Sequence, residues 1–131
     1  MEQFIDSMNV IRSQVLVGPS VTIENPSWDD VEGAISKLDG NRNTAVELHR
    51  YGDEPWKTFL IVGGAGRWYM GDSVLRWEFD NQAGSEDLVG IWSDMDFECK
   101  ARNLLTDEKR VLRIAKRYYE TGSYEGLGSV G

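Results

Sequence analysis

This sequence has few of the residues that cross-link small secreted proteins or build catalytic centres. Among its 131 residues there is one cysteine, Cys99, and one histidine, His49. A lone cysteine cannot form an internal disulfide, which is typical of a protein in the reducing cytoplasm. No apolar run approaches the roughly 18 residues of a membrane span, and residues 1–6 lack the features of a signal peptide. We therefore expect a cytoplasmic protein that does not bind membranes.

Basic residues are also in short supply. The chain has 14 lysines and arginines against 22 acidic residues, which gives a net charge of −8. Residues 72–98 contain eight acids and one base, Arg76, so this segment alone carries −7. Such a field disfavours nucleic acid as a partner and favours a basic protein. A solvated face that only keeps the protein soluble is the plainer interpretation.

The sequence offers no complete catalytic constellation. His49 is expected to be an exposed strand residue, since no nucleophile or orienting group lies near it in the sequence. The glycines of residues 63–67 lack the Lys-Ser/Thr ending of a phosphate loop, and a strand follows them. Cys99 is expected to face the core, where a thiol is inert. We predict no catalytic residue and no cofactor.

Strand patterns dominate the middle of the chain. A strand of residues 57–62 with the apolar run 59–62, a glycine-rich turn and residues 67–71 predict a hairpin of two central strands. Alternating or short apolar segments predict the remaining strands, and residues 1–18 are otherwise weakly patterned. These further predicted strands are 15–17, 21–24, 44–51, 74–79, 88–92 and 95–99.

Two amphipathic helices are predicted. The first starts at an Asn25 or Ser27 cap and ends at Gly40, and Trp28 is expected to seal its first turn against the sheet. The second starts at Thr106, has a basic outer face, and ends at Gly122.

The predicted architecture is a single α+β domain of residues 1–131. One mostly antiparallel sheet of about six strands packs against both helices on one face. The other face is partly open and acidic, and residues 122–131 form a flexible tail.

The best candidate site is the acidic strand of residues 94–98. Asp94, Asp96 and Glu98 share one face at about 7 Å spacing, where a cation, water or a basic partner would relieve their repulsion. Divalent metal binding is therefore an alternative to protein binding. Exposed aromatic residues would anchor a protein partner, although Trp68 and Trp92 would suit the core equally well. The full set of candidate partner-binding residues is Glu78, Asp80, Trp92, Asp94, Asp96, Glu98 and Trp68.

Three stretches resemble one family of bacterial immunity proteins. Residues 25–32 with Lys37-Leu38-Asp39-Gly40 resemble its opening helix, residues 62–69 its glycine-rich turn, and residues 105–122 its closing helix. This is the first numbered immunity family of polymorphic toxin systems, whose genes neighbour toxins with deaminase-type domains. The resemblance covers most of residues 21–122.

The resemblance implies an antitoxin without enzymatic activity. Such a protein would bind a cognate deaminase-type toxin domain, cover its basic cleft, and exist as a monomer or as a heterodimer with the toxin. Two alternatives remain open at this point. One is a small metal-dependent enzyme that uses Asp94, Asp96 and Glu98, and the other is a generic interaction domain with a different basic partner.

Overall fold

The structure is a computed structural model that describes residues 3–13, 15–81, 84–90 and 98–127. It has the predicted α+β architecture, with two helices and a six-stranded antiparallel sheet. The elements in chain order are β1 (Ile5–Arg12), β2 (Val21–Glu24), α1 (Trp28–Ser36), β3 (Asn43–Arg50), β4 (Phe59–Gly64), β5 (Arg67–Asp72), β6 (Leu88–Gly90), β7 (Glu98–Lys100), β8 (Leu104–Leu105) and α2 (Glu108–Thr121).

The sheet has the strand order β2-β1-β3-β4-β5-β8, and β6 pairs with β7 in a separate two-stranded ribbon. The main core lies between this sheet and the two helices. Alternate residues of the strands face it, because successive side chains of a strand point to opposite sides. The buried residues include Met8, Val46, Leu48, Phe59, Ile61 and Met70 from the sheet, Val31 and Ile35 from α1, and Val111, Ile114 and Tyr118 from α2.

The hairpin of β4 and β5 is confirmed, and β4 lies in the middle of the sheet. Its two-residue turn places Ala65 and Gly66 at φ 54° and 92°, the left-handed region that suits a tight hairpin. Gly64 passes directly over the end of α1: a Cβ there would lie 2.4 Å from the Leu38 carbonyl. This close approach requires glycine.

The ends of α1 are only partly as predicted. Ser27 caps the helix: its hydroxyl accepts a 3.1 Å bond from the Asp30 N–H, and the Asp30 carboxylate accepts a 2.9 Å bond from the Ser27 N–H. The helix ends at Ser36 with Lys37 as its C-cap, and Gly40, predicted to be the cap, is a left-handed residue of the following turn. Trp28 packs against the main core, as predicted, and its ring also contacts Tyr119 of α2, at 5.8 Å between ring centroids.

The C-terminal helix is capped one residue later than predicted. Asp107, not Thr106, accepts the capping bond from the Lys109 N–H at 3.0 Å. Gly122 ends the helix in the left-handed conformation, φ 63°, as predicted. Neither helix of the described part of the chain is long and apolar enough to cross a membrane.

Two strand predictions are wrong, and strand β1 was not predicted. Residues 15–17 form a turn rather than a strand. Residues 74–79 are mostly turn and irregular backbone, and Glu78 makes an isolated bridge to Gly71. Strand β1, in a segment that looked weakly patterned, lies between β2 and β3. The predicted strands 88–92 and 95–99 are seen as β6 and β7 at their described ends, and residues 91–97 lie outside the described residues.

The flexible tail was predicted wrongly for residues 122–127. Tyr124 stacks on Tyr118 with ring centroids 5.1 Å apart, and Leu127 is fully buried in the main core. Residues 128–131 lie outside the described residues. Aromatic stacking and apolar burial hold this segment against the sheet, since each ring adds contact area that the helices alone do not cover.

The second face of the sheet is covered in part. Cys99 of β7 packs with Val62 and Tyr69 in a small buried cluster, so the ribbon covers the β4–β5 side of this face. The other side is polar: the Thr22 hydroxyl donates to Asn9 at 2.7 Å, and the Asn9 amide donates to Glu47 at 3.2 Å. The predicted open face is therefore limited to the half formed by β2, β1 and β3.

Candidate functional site

Large apolar side chains are exposed at one end of the sheet. Trp56 is 63% exposed and Leu75 is 72% exposed, and the neighbouring Val74 is also exposed. Phe59 and Asp72 lie opposite each other on β4 and β5, so the loop before Phe59 and the loop after Asp72 share this end. We call Trp56, Val74 and Leu75 the end patch.

Hydrogen bonds tie the two loops of the end patch together. The Ser73 hydroxyl donates to the Trp56 carbonyl at 2.6 Å and accepts from the Thr58 N–H at 2.9 Å. The Ser73 N–H donates to the Thr58 carbonyl at 2.9 Å. Cross-links of this kind fix the backbone that carries the exposed side chains, so less conformational entropy is lost when a partner binds.

A buried ion-pair network lies beneath the second of these loops, the one that follows Asp72. The Asp72 side chain is fully buried, and Arg76 approaches it at 2.8 Å. The carboxylate also accepts hydrogen bonds from the Val74 N–H at 2.8 Å and from the Tyr124 hydroxyl. Burial acts to raise the pKa of Asp72, but the bonds from Arg76 and Tyr124 outweigh it, and the pKa is lowered.

Asp53 extends this network to β3. Its carboxylate pairs with Arg76 at 3.1 Å and with Arg50 at 3.0 Å. Arg50 in turn donates to the Gly122 carbonyl at the end of α2, at 2.6 Å. The pKa of Asp53 is also lowered, because the two arginines overcome the effect of burial. Two acids and two bases thus balance inside the network, which is the arrangement that buried charges require.

Leu75 has an unusual backbone conformation. Its φ is 57°, in the left-handed region that side chains other than glycine and asparagine rarely adopt. The Leu75 N–H donates to the Asp72 carbonyl at 2.9 Å, which holds the turn. The cost of this conformation is of the order of 1 to 2 kcal/mol. Backbone strain of this kind is concentrated at functional sites, and here it presents an exposed leucine.

Two of the predicted acidic residues are exposed close to the end patch in the chain. Glu78 accepts a 2.6 Å hydrogen bond from the neutral hydroxyl of Tyr69, so this contact leaves its charge uncompensated. Asp80 forms a two-point ion pair with Arg102, at 2.8 Å and 3.1 Å. The Asp80 carboxylate is therefore partly neutralised, and Glu78 is the stronger contributor to a negative surface.

The remaining predicted site residues divide into two groups. Trp68 was predicted as an exposed anchor or as a core residue, and the anchor role is wrong: Trp68 is 6% exposed and belongs to the main core. It faces the helices because it lies on the core side of β5, opposite Leu105. Trp92, Asp94 and Asp96 lie outside the described residues. Glu98 is described as part of β7, but its side chain is not, so the acidic strand stays a prediction.

His49 is more buried and better bonded than predicted. Its Nδ1 lies 2.6 Å from the Asp6 carboxylate, and its Nε2 lies 3.0 Å and 3.1 Å from the carbonyl oxygens of Asp53 and Glu54. Both ring nitrogens thus face acceptors, a geometry that only the doubly protonated ring satisfies. Burial lowers the pKa of His49, but Asp6 and the two carbonyls raise it by more. A ring held in this way has no free nitrogen to act as a base.

The remaining candidates for chemistry are also engaged in structural contacts. Burial raises the pKa of the Cys99 thiol to about 11, which disfavours the reactive thiolate. Within residues 3–13, 15–81, 84–90 and 98–127, no group of three or more His, Cys, Asp or Glu side chains is placed to hold a metal ion.

The end patch was not predicted from the sequence. Trp56 follows Pro55 in a turn-forming stretch. The sequence signal that could have identified it is a tryptophan in a turn, outside any alternating pattern. Leu75 gave no signal, because the alternation around it suggested a strand.

Comparison of the chain with protein-family models, curated proteins and solved structures found no match.

Proposed function

We propose that this chain is an antitoxin that binds a cognate bacterial toxin domain and blocks its basic, nucleic-acid-binding cleft. The observation that carries the proposal is the end patch, where Trp56 and Leu75 are exposed on loops fixed by hydrogen bonds and buried ion pairs. Tryptophan is one of the residues enriched among the hot spots that carry most of the binding energy at protein interfaces. A deaminase-type toxin is the partner class, as the resemblance to immunity proteins implies.

The charge of the chain supports a basic partner. The net charge is −8, and the acidic segment 72–98 includes Val74 and Leu75 of the end patch. A toxin that acts on nucleic acid needs a basic cleft to hold phosphates. An acidic surface next to apolar anchors is complementary to such a cleft, since the acids speed association and the anchors slow dissociation.

The decisive experiment is co-expression with the protein encoded by the neighbouring gene, with growth and complex formation as readouts. We expect that the neighbour alone arrests growth and that this chain restores it and is co-purified with the neighbour. A toxic neighbour that is neither bound nor neutralised would contradict the proposal. A tight complex with a non-toxic neighbour would also contradict it and would favour a general interaction domain.

The end patch is tested by truncating its anchor. Trp56→Ala should weaken the complex by roughly 30-fold or more, the loss typical of an interface hot spot. Val15→Ala is the matched control, because Val15 is an exposed apolar residue on the β1–β2 connection, away from both loops. Equal affinities of the two variants would show that the end patch is not part of the interface.

Glu78→Lys should mainly slow association with the toxin and reduce the dependence of the association rate on salt.

A further inference from the structure

An apolar groove lies between α1 and the edge strand β2. Its volume is about 360 Å³, and the apolar residues that line it include Val10, Val21, Ile23 and Ala34. Gly33 also faces it, and a Cβ at this position would meet nothing within 4 Å. The small residues of α1 thus leave the apolar side of β2 uncovered, and Val21 is exposed.

The backbone of β2 is open on the same side of the molecule. β2 is the first strand in the order β2-β1-β3-β4-β5-β8, so in the described part of the chain its outer edge has no neighbouring strand. Unpaired edges of this kind accept a further strand readily. Val21 and Ile23 line the groove, whereas Thr22 and Glu24 point to the opposite face, where Thr22 bonds Asn9. An added strand would therefore bury apolar residues on the α1 side.

The two ends of the groove carry opposite charges. Asp29 and Asp30, in the first turn of α1, line the end near Glu24. Arg12 and Lys37 line the other end, where the Arg12 N–H lies 3.3 Å from the Ser20 hydroxyl at the start of β2. A surface that is acidic at one end and basic at the other is complementary to itself after a two-fold rotation, the symmetry of most homodimers.

The side-chain pattern of β2 satisfies the same symmetry. In an antiparallel pair, residues directly opposite each other must point to the same face. If Thr22 lies opposite Thr22 of a second copy, then Val21 of each copy lies opposite Ile23 of the other. The rotation also brings the acidic start of one α1 towards Lys37 of the other copy. One pairing register therefore places apolar residues opposite apolar residues and acidic groups near basic ones.

We propose that two copies of this chain associate through antiparallel pairing of their β2 strands, which joins the two six-stranded sheets into one. The α1 helices lie on the same side of the joint and run in opposite directions, with Asp29 of each copy close to Lys37 of the other. This interface goes beyond toxin binding and does not depend on it. It differs from the monomer or toxin heterodimer that the immunity-family resemblance implies.

The test is sedimentation equilibrium of the purified full chain. The mass should rise from 14.8 kDa towards twice that value as the concentration is increased from roughly 10 μM to roughly 1 mM, the range in which weak interfaces saturate. A mass that stays at 14.8 kDa throughout would overturn the proposal, and an added strand from another protein would then be the remaining use of this edge.

Charge reversal locates the interface. Lys37→Asp should weaken the dimer about tenfold or more, because the change occurs twice in a two-fold dimer and replaces attraction by repulsion. Asp29→Lys should have the same effect. The double variant Asp29→Lys/Lys37→Asp should recover most of the affinity. This double variant also has the charges least favourable to α1 itself, so a recovered dimer cannot reflect a more stable helix.

Two further variants complete the test. Glu32→Lys is the matched control, because Glu32 is exposed on α1 but does not line the groove, and its dimer affinity should change less than threefold. Val21→Lys places a charge on an already exposed position and should abolish the dimer while circular dichroism shows an intact fold. If the double variant stayed monomeric, or if Glu32→Lys weakened the dimer as much as Lys37→Asp, this interface would be wrong. Trp56→Ala should leave the dimer unchanged, so failure of toxin binding can be told apart from failure of pairing.

Discussion

The buried carboxylate of Asp72, at the end of β5, accepts a hydrogen bond from the hydroxyl of Tyr124, beyond the end of α2. The ring of Tyr124 also contacts two residues of the loop that follows β5. It stacks parallel to Trp77, with ring centroids 6.2 Å apart, and the Arg76 guanidinium lies 5.3 Å from its centroid. One side chain thus connects the C-terminal segment, the sheet and the loop that carries the end patch.

Removal of the Tyr124 hydroxyl should therefore be destabilising. Tyr124→Phe keeps the stacked ring but deprives the buried Asp72 of one donor, which should lower the free energy of unfolding by about 1 to 3 kcal/mol. Tyr51→Phe is the matched control, because the Tyr51 hydroxyl bonds Asn25 at an exposed position. Urea denaturation measures both variants. Equal losses for Tyr124→Phe and Tyr51→Phe would contradict the structural role of the Asp72 bond.

His49 should titrate above the ordinary histidine pKa of about 6.5, because Asp6 and two carbonyl oxygens stabilise its charged form. It is the only histidine, so a single NMR resonance reports this pKa. Asp6→Asn should lower the pKa of His49. Glu47→Gln is the control: Glu47 lies on β3 like His49, but its carboxylate bonds Asn9, so this change should alter the pKa of His49 little.

The same interaction has a defined effect on stability. Because the pKa of His49 is raised in the folded state, its contribution to stability is complete below about pH 6.5 and is lost as the pH rises through the folded-state pKa. The free energy of unfolding should fall over that range, and Asp6→Asn should flatten the fall. A pKa of His49 at or below 6.5 would refute the charged pair.

Leu75 should be replaceable by glycine with a gain in stability. Leu75→Gly relieves the left-handed strain and removes an exposed side chain, which should raise the free energy of unfolding by roughly 0.5 to 1 kcal/mol. Leu75→Ala removes the apolar atoms beyond Cβ but keeps the Cβ that causes the strain, so its stability should stay within about 0.5 kcal/mol of the original chain. Thermal unfolding distinguishes the two. Both variants should weaken toxin binding, and equal stabilities would show that the backbone is unstrained.

Gly64 should be far less replaceable than Gly66. A Cβ at Gly64 would lie 2.4 Å from the backbone of Leu38, whereas one at Gly66 would meet nothing within 4 Å. Gly64→Ala should therefore cost at least about 3 kcal/mol, since the end of α1 must move, and Gly66→Ala only about 1 kcal/mol from its positive φ. Chemical denaturation checks the difference. Similar losses at the two positions would show that the close approach is not required.

The sequence predicted the parts of the fold that have strong local signals. The glycine-rich hairpin of residues 59–72 and the start of α1 at Asn25 or Ser27 depend on a few neighbouring residues. The hairpin is confirmed, and Ser27 is the residue that caps the helix. Strand β1 was missed because its pairing shifts between Ile5 and Ser7. This irregularity interrupts the alternation of polar and apolar residues, and β1 is defined instead by its two neighbours in the sheet.

Residues 74–79 show the opposite error, in which a local pattern was overruled by tertiary contacts. The alternation of Arg76, Trp77, Glu78 and Phe79 resembles a strand, but Arg76 is drawn to the buried Asp72 and the chain turns instead of extending. Trp68 could be placed in the core only after its face of β5 was known. The end patch and the groove beside β2 each combine residues far apart in the sequence, so no local pattern could identify them.

The positions of Tyr124 and Leu127 have a consequence for the nascent chain. All the residues that these two side chains contact in the sheet and helices are synthesised before them, and Leu127 completes the main core. While residues 118–127 are still within the ribosome, the emerged sheet has an open core, and the Asp72 carboxylate lacks the hydrogen bond from Tyr124. Folding that proceeds during synthesis can therefore assemble the sheet early, but the main core is completed only when residues 118–127 have emerged. The loops of the end patch should gain their rigidity in this late step.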